Sequence, residues 1–203
     1  MIIPLFPLQS VLFPGGRLPL RIFEQRYMEM ATVCLKESSS FGICLIASGE
    51  EVAGAGKKPA TPHPVGTLAH IADWDMQQLG VLEIVAQGGE RFRLRRHWAE
   101  DSGLLHGEVE LIAAPAVLPV HGAYARLVPL LRAIVADMEA GAPNAPALPH
   151  RFFDAAWLGM RYAEVLPIPT VAKQKLLEID DSIDRLEIIY RFLESKGLLP
   201  DAG

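Results

Sequence analysis

The sequence has few of the residues that exported, disulfide-stabilised proteins need. Only two of its 203 residues are cysteines, Cys34 and Cys44, which is too few for a disulfide framework, and they lack Cys-x-x-Cys spacing. Both lie inside apolar runs, which predicts buried, reduced thiols in a cytoplasmic protein. The amino terminus also lacks the basic residues and the unbroken apolar stretch of a secretory signal, because prolines interrupt it.

Long apolar runs and an excess of positive charge are missing too. A membrane-spanning helix needs roughly 20 predominantly apolar residues, and the nearest candidate, residues 111–125, is broken by Pro115, Pro119 and His121. The formal net charge is −5, which favours neither nucleic acid nor an anionic membrane as a partner. Half of the residues are nevertheless hydrophobic, so the sequence predicts a soluble protein with a large core.

Motifs for nucleotide binding, metal binding and nucleophilic catalysis are also absent. The segment Gly54-Ala-Gly-Lys-Lys58 has neither the glycine spacing of a phosphate-binding loop nor a Ser or Thr after its lysine. The six histidines are scattered without the spacing of a zinc site. No serine lies in a Gly-x-Ser-x-Gly turn. We therefore predict no enzymatic activity, no cofactor and no metal, with a hydrolase as the third of the functional hypotheses.

The chain opens instead with a proline-rich segment. Pro4, Pro7 and Pro19 each remove a backbone donor, so the strands that contain them should be at an edge, bulged or short. Pro14-Gly15 is typical of the centre of a type II turn. Helical spacing then relates Phe23, Tyr27, Met30 and Cys34, which predicts one face of a short helix.

Short strands are predicted from there to about residue 115. Their residue ranges are 41–47, 65–74, 81–86, 91–95 and 105–111. A hairpin turn at 87–90 should join the third to the fourth, and residues 49–64 should form a surface loop. Phe92 and Leu94 alternate with arginines, which places Phe92 and Leu94 in the core and the arginines on the opposite face.

The apolar period becomes helical in the second half of the chain. Four helices are predicted there, the second over about residues 152–165, with Thr170 capping the third and Asp181 or Ser182 capping the fourth. Gly197 should end the last helix. The predicted fold class is therefore α+β, with a β-rich lobe over residues 1–115 and an α-helical lobe over residues 116–203.

Several short motifs resemble the amino-terminal domain of Lon proteases. They are the opening segment 1–27, Val65-Gly-Thr67, Gly89-Glu-Arg91-Phe-Arg93, Lys173-Gln-Lys175 and Arg185-Leu-Glu187. The resemblance spans nearly the whole chain and implies a PUA-like β-barrel followed by a helical bundle. It also implies a substrate-binding module without the ATPase and peptidase parts of Lon, similar to the free-standing bacterial members of the family.

Trp74, Met76 and Trp98 are the candidate peptide-binding residues, and Leu79 is a further large apolar residue of this kind. If they are exposed together, they would form an adaptable apolar patch for unfolded or apolar protein segments. Such a patch would lie on an exposed barrel face or line a groove between the lobes. The alternative is that each side chain caps the core.

Arg91, Arg93, Arg95 and Arg96 form the one basic cluster of the sequence, with Trp98 nearby. A strip of this kind could bind the phosphates of RNA while the tryptophan stacks on a base. The acidic neighbours Glu90, Glu100 and Asp101 favour a different interpretation, a solvated strand face with local salt bridges. Nucleic acid is therefore the alternative partner, and protein segments are the principal one.

Overall fold

The computed structural model describes residues 1–51, 58–141 and 150–199. The chain divides into two compact units, Met1–Ala113 and Ala114–Gly203, which we call the strand unit and the helical unit. In the described residues the strand unit contains seven strands and one α-helix: β1 Ile2–Leu8, β2 Arg17–Ile22, α1 Gln25–Glu37, β3 Phe41–Ser48, β4 Thr61–Pro62, β5 Val65–Gln78, β6 Val81–Ala99 and β7 Leu105–Leu111. The helical unit contains a 3-10 helix, Gly122–Arg126, and then α2 Leu127–Gly141, α3 Ala155–Val165, α4 Thr170–Glu178 and α5 Ser182–Ser195. The predicted combination of a sheet region and helices is confirmed.

All the strands belong to one sheet with the order β1-β7-β6-β5-β3-β4, and β2 pairs with β6. Strand β1 pairs with β7 over Ile2–Leu5 and with β3 over Leu5–Leu8. Pro4 therefore lies in the half that pairs with β7, and Pro7 in the half that pairs with β3. A proline has no backbone N–H to donate. Because each half of β1 has one partner strand, the nitrogen of its proline can face away from that strand.

The opening turn has the predicted form and fixes the chain onto β6. Gly15 has φ +73° and the Gly16 N–H donates to the Phe13 carbonyl at 2.9 Å, as a type II turn requires. The Gly15 N–H donates to the Gly88 carbonyl at 2.8 Å, and the Gly88 N–H donates to the Gly16 carbonyl at 2.9 Å. A Cβ atom on Gly88 would lie 2.2 Å from the Phe13 oxygen, so this close approach of two backbones needs glycine.

The predicted hairpin turn at 87–90 is wrong, because β6 runs through it as one strand of 19 residues. Its glycines permit backbone contact inside the strand and do not reverse the chain. The pairing with β5 shifts register here, from Ala69 opposite Gly88 to Thr67 opposite Arg91.

After this shift the pairing is regular, with Arg91, Phe92 and Arg93 opposite Thr67, Gly66 and Val65, yet the predicted face assignment of the arginines fails. Phe92 is buried as predicted, but Arg91 is buried beside it, only 3% exposed, and Leu94 is half-buried. The prediction that Arg91 shares a solvent face with Arg93 and Arg95 is therefore wrong.

Part of the predicted surface loop at 49–64 is regular structure. Thr61 and Pro62 form β4, which pairs with β3 opposite Ser48 and Ile46. Residues 52–57 lie outside the described residues.

Helix α1 buries Tyr27, Met30 and Cys34 as predicted, but Phe23 lies before the helix and is exposed. The Phe6 ring stacks on the Tyr27 ring at 4.0 Å between centroids. Both cysteines are buried and free. Burial raises the pKa of Cys44 from 9.0 to about 12, and burial also raises the pKa of Tyr27 to about 12 despite the opposing charge of Arg26. The core of the strand unit therefore keeps these groups neutral.

The helical unit confirms one of the two predicted caps. The Asp181 carboxylate accepts from the Ile183 and Asp184 N–H groups at 2.7 and 3.1 Å, at the start of α5. Thr170 is the first residue of α4 and not its cap, because Pro169 holds the N-cap position without a side-chain bond. Pro169 cannot donate a backbone hydrogen bond and leads directly into the helix.

The other ends of the helices are set by specific groups. Helix α3 begins at Ala155 and not near residue 152, since Asp154 accepts from the Ala156 N–H at 3.0 Å. Gly197, with φ +65°, ends α5 as predicted. The Leu198 N–H donates to the Leu193 carbonyl at 3.0 Å, and the Gly197 N–H donates to the Glu194 carbonyl at 2.9 Å, the Schellman arrangement.

The helical unit also buries two arginines. Arg185 donates through Nε to the Leu176 carbonyl at 2.9 Å and through Nη2 to the Ile179 carbonyl, both at the end of α4. Arg161 forms an ion pair with Glu164 one helical turn away. Arg185 therefore supplies hydrogen bonds to the carboxyl end of α4 from a buried position.

Candidate functional site

The end of β5 and the start of β6 form a hairpin, in which β6 pairs with β2 on its other side as far as Leu82. Strand β5 pairs with β3 only at Thr67–Ala69. Its continuation to Gln78 pairs with β6 alone in the described sheet, and Leu79-Gly80 forms the loop, with Gly80 at φ +82°. We call residues 73–83 the hairpin tip.

The hairpin tip exposes three large apolar side chains. Trp74 is 57% exposed, Met76 is 45% exposed and Leu79 is 98% exposed. Trp74 lies opposite Ile84, which lies opposite Leu20 of β2. Ile84 is buried, so a row of apolar side chains that begins in the core continues through Trp74 to the surface.

The aspartates that precede Trp74 and Met76 cover backbone donors of the same strand. The Trp74 N–H donates to Asp73 Oδ1 at 2.9 Å, and the Met76 N–H donates to Asp75 Oδ1 at 2.7 Å. Carboxylates in these positions occupy donors that another strand could otherwise pair with. The tip therefore offers its side chains more readily than its backbone. The alternating run Asp73-Trp-Asp-Met76 is the sequence signal for this arrangement.

Trp98 does not belong to this patch. Trp74 is paired with Ile84 near the start of β6, whereas Trp98 is fourteen residues further along the strand, opposite His106 of β7. The His106 ring stacks on Trp98 at 6.2 Å between centroids, and Arg96 Cζ lies 5.6 Å from the Trp98 ring centre. Trp98 is 36% exposed. The structure thus brings Trp74 and Met76 together and leaves Trp98 near the opposite end of β6.

The arginine cluster does not form a continuous basic strip. Arg91 is buried and Arg93 is half-buried. Arg95 Nε donates to Glu110 Oε2 at 2.9 Å, and Arg96 Nε donates to Glu108 Oε2 at 2.5 Å. The hydrogen bond from Arg95 lowers the pKa of Glu110. The two exposed arginines are therefore neutralised by glutamates on the neighbouring strand, as the salt-bridge interpretation expects.

The described residues contain neither a candidate membrane-spanning helix nor a cluster of metal ligands. Within 1–51, 58–141 and 150–199, no helix is both long and apolar enough to cross a membrane. In the same described ranges, no group of three His, Cys, Asp or Glu side chains gathers in a way that could hold a metal ion.

Comparison with known proteins identifies the class. The family model for the substrate-binding domain of the ATP-dependent protease La (LON) matches residues 2–195. The chain belongs to this family, and the resemblance found in the sequence is confirmed.

Particular relatives agree with that assignment. The crystal structure of a Lon N-terminal domain protein from Xanthomonas campestris is 32% identical, covers 98% of this chain and 99% of its own, and superimposes with a TM-score of 0.74. The N-terminal domain of the Mycobacterium avium complex Lon protease shares the fold at 17% identity, with a TM-score of 0.67 and coverage of 96% of this chain and 98% of its own. The Lon protease of Anaeromyxobacter dehalogenans (strain 2CP-C) is 24% identical over 200 residues, which are 96% of this chain and 23% of that protein. The chain thus spans about a quarter of the length of this curated relative.

Proposed function

We propose that this chain is a non-catalytic, cytoplasmic module that binds exposed apolar segments of other proteins through the hairpin tip. The observation that carries the proposal is the exposure of Trp74, Met76 and Leu79 on one extended hairpin. Large apolar side chains that remain in water gain free energy when a partner covers them. Thioether and aromatic groups also adapt to varied partners. Membership of a substrate-binding family supports the same conclusion.

We also propose that the strand unit is a PUA-like β-barrel. The pairing of β1 with both β7 and β3 supports this, because it links the first strand of the sheet path to a strand near its other end. RNA binding through Arg95 and Arg96 has less support, since both side chains already pair with glutamates.

A binding titration with an unfolded polypeptide tests the proposed function. Fluorescently labelled casein should bind the wild-type chain in the micromolar range or more weakly, about −8 kcal/mol or less favourable. The double variant Trp74→Ser, Met76→Ser should bind at least about tenfold more weakly, which is about 1.4 kcal/mol. Trp98→Ser is the matched control, and its affinity should stay close to wild type because Trp98 lies at the other end of β6.

Salt distinguishes the two partner classes. Raising the salt from about 50 to about 200 mM should change the casein affinity little, whereas a protein that makes several phosphate contacts loses orders of magnitude in nucleic-acid affinity over that range. Equal casein affinity in the tip variant and the wild type would contradict the proposal. Tight, steeply salt-dependent binding of an oligonucleotide, lost in Arg95→Ala with Arg96→Ala, would establish the RNA alternative.

A further inference from the structure

The helical unit contains an open cavity of about 330 Å³ that the hairpin-tip proposal does not use. It lies where the segment after α3 passes over α4 and α5. Pro167 and Pro169 prevent this segment from being helical, and the Ile168 N–H donates to the Leu166 carbonyl at 2.8 Å in a tight turn at one side of the cavity. Leu176 of α4 and Ile189 of α5 are buried lining residues, and Ile188 and Phe192 of α5 keep part of their surface in solvent.

The size of the cavity suits a small ligand. It is about twice the roughly 150 Å³ cavity that accommodates a benzene ring. It also falls within the range of about 300–1,000 Å³ that is typical of small-molecule sites. Because the cavity is open to solvent, a ligand can enter without unfolding the unit.

The lining has an unusually simple chemistry. Nine of its ten residues are apolar, and the tenth is Lys175, an exposed residue of α4. The lining surface is almost wholly apolar, so Lys175 contributes its alkyl stem and its ammonium group lies outside the lining. A ligand that matches this lining has an apolar body without hydrogen-bonding groups and a single negative charge at one end. A peptide matches it less well, because backbone amides that enter the cavity would find no polar side chain to bond.

We propose that the cavity is a binding site for a medium-chain alkyl carboxylate. The alkyl chain lies against Leu176, Ile189 and Phe192, and the carboxylate pairs with the Lys175 ammonium group at the opening. The site belongs to the helical unit and does not depend on the hairpin tip, so it goes beyond the proposed function.

Isothermal titration calorimetry with decanoate tests the site directly, with decanol and decyltrimethylammonium as comparison ligands. Decanoate should bind saturably with a stoichiometry of one. Decanol, which lacks the charge, should bind about two- to fivefold more weakly, the range expected of a solvent-exposed ion pair. Decyltrimethylammonium should bind most weakly, because its charge faces that of Lys175.

Two variants separate the contributions of the cavity and the charge. Ala172→Phe, at a lining position of α4, should fill the cavity and reduce the affinity for decanoate and decanol at least tenfold. Lys175→Met keeps the length of the side chain and should leave decanol unchanged while removing the preference for decanoate. Lys36→Met, an exposed lysine of α1, is the control and should change neither affinity.

Several outcomes would overturn the site. One is the absence of saturable decanoate binding to the wild-type chain. Equal affinities for decanoate and decanol would remove the role of Lys175. A further one is that a short apolar peptide displaces decanoate from the wild-type chain and fails to bind Ala172→Phe. That result would show that the ligand of the cavity is a peptide and not an alkyl carboxylate. The tip variant Trp74→Ser, Met76→Ser should bind decanoate like wild type, so failure here and failure of the proposed function are distinguishable.

Discussion

The strand unit and the helical unit bury different chemistry. In the described part of the strand unit, the buried polar side chains are Thr67 and Arg91. The helical unit, which is shorter, buries more of them: Asp154, Arg161, Gln174, Ser182 and Arg185. Two compact units of one chain thus reach stability by different routes.

The difference follows from how each kind of element satisfies its backbone. Neighbouring strands satisfy one another's N–H and C=O groups, so the interior of the sheet can be filled with apolar side chains. Each helix leaves groups at both ends that its own hydrogen bonds do not reach. In the helical unit, Asp154 and Arg185 supply those bonds from buried positions. Polar burial is therefore a structural requirement of the short helices and does not by itself mark a functional site.

The largest expected effect tests the apolar route. Phe92 is fully buried, and its ring lies so close to Gly42 and Gly66 that a Cβ atom there would be 2.8 and 2.6 Å from Phe92 Cζ. Phe92→Ala removes the ring and leaves a cavity, which should lower the free energy of unfolding by about 3–5 kcal/mol. Urea denaturation monitored by circular dichroism measures this.

Arg95→Ala is the control for Phe92→Ala, because Arg95 is an exposed residue of the same strand. Its loss should change the free energy of unfolding by less than about 1 kcal/mol. Similar losses in the two variants would mean that the stability of β6 does not come from its buried face.

High pH tests the same core through its neutral acids. The pKa of Cys44 is raised to about 12 in the folded chain, against 9.0 for an ordinary thiol. Between these values the unfolded chain binds fewer protons than the folded chain, so stability should fall as the pH rises from about 9 to 12. The slope contributed by one such group is at most about 1.4 kcal/mol per pH unit.

A Cys44→Ala variant isolates this contribution. Its thermal unfolding curves, measured from about pH 8 to pH 11, should show a shallower pH dependence than the wild type, although the variant is less stable at neutral pH. The dependence should not vanish, because burial also raises the pKa of Tyr27 and of Tyr162. An unchanged slope would show that Cys44 ionises without unfolding.

The polar route is tested at Arg185. Arg185→Met keeps an unbranched apolar side chain but removes the donors of the Leu176 and Ile179 carbonyls. Leaving buried acceptors without partners costs about 1–3 kcal/mol each, so a loss of about 2–4 kcal/mol is expected in urea denaturation. The exposed Arg191, which pairs with Glu187 on the same helix, is the matched control. If Arg185→Met is as stable as the wild type, apolar packing can replace the buried charge.

The apolar core could be predicted from the sequence better than the buried polar side chains. The strands and helices could be separated because the apolar period changes between residues 111 and 127, and period follows directly from backbone geometry. Arg185 could not be recognised as buried, since on a helix it has the same spacing as an exposed arginine. Gly88 and Gly89 were misinterpreted for a related reason. Glycine marks both a turn and a close backbone approach, and only the position of the opening turn decides between them.

The candidate site was predictable to a similar extent. Trp74 and Met76 are near one another because they are two residues apart on one strand, but their exposure depends on β5 extending beyond its pairing with β3. Whether Trp98 joins them depends on the register of β6 with both neighbours. These are pairings between residues distant in the chain, which local patterns do not encode.

The smallest expected effect concerns the helix ends that polar groups close at the surface. Asp181 accepts two N–H groups at the start of α5, and Asp181→Ala should lower the free energy of unfolding by about 1 kcal/mol. Thr170 has the residue type of a cap, but it occupies the first turn of α4 without a side-chain cap bond. Thr170→Ala should therefore change the stability by less than about 0.5 kcal/mol. Urea denaturation of the two variants side by side measures the difference, and a larger loss in Thr170→Ala would show that residue type, and not the observed hydrogen bonding, identifies the caps of this unit.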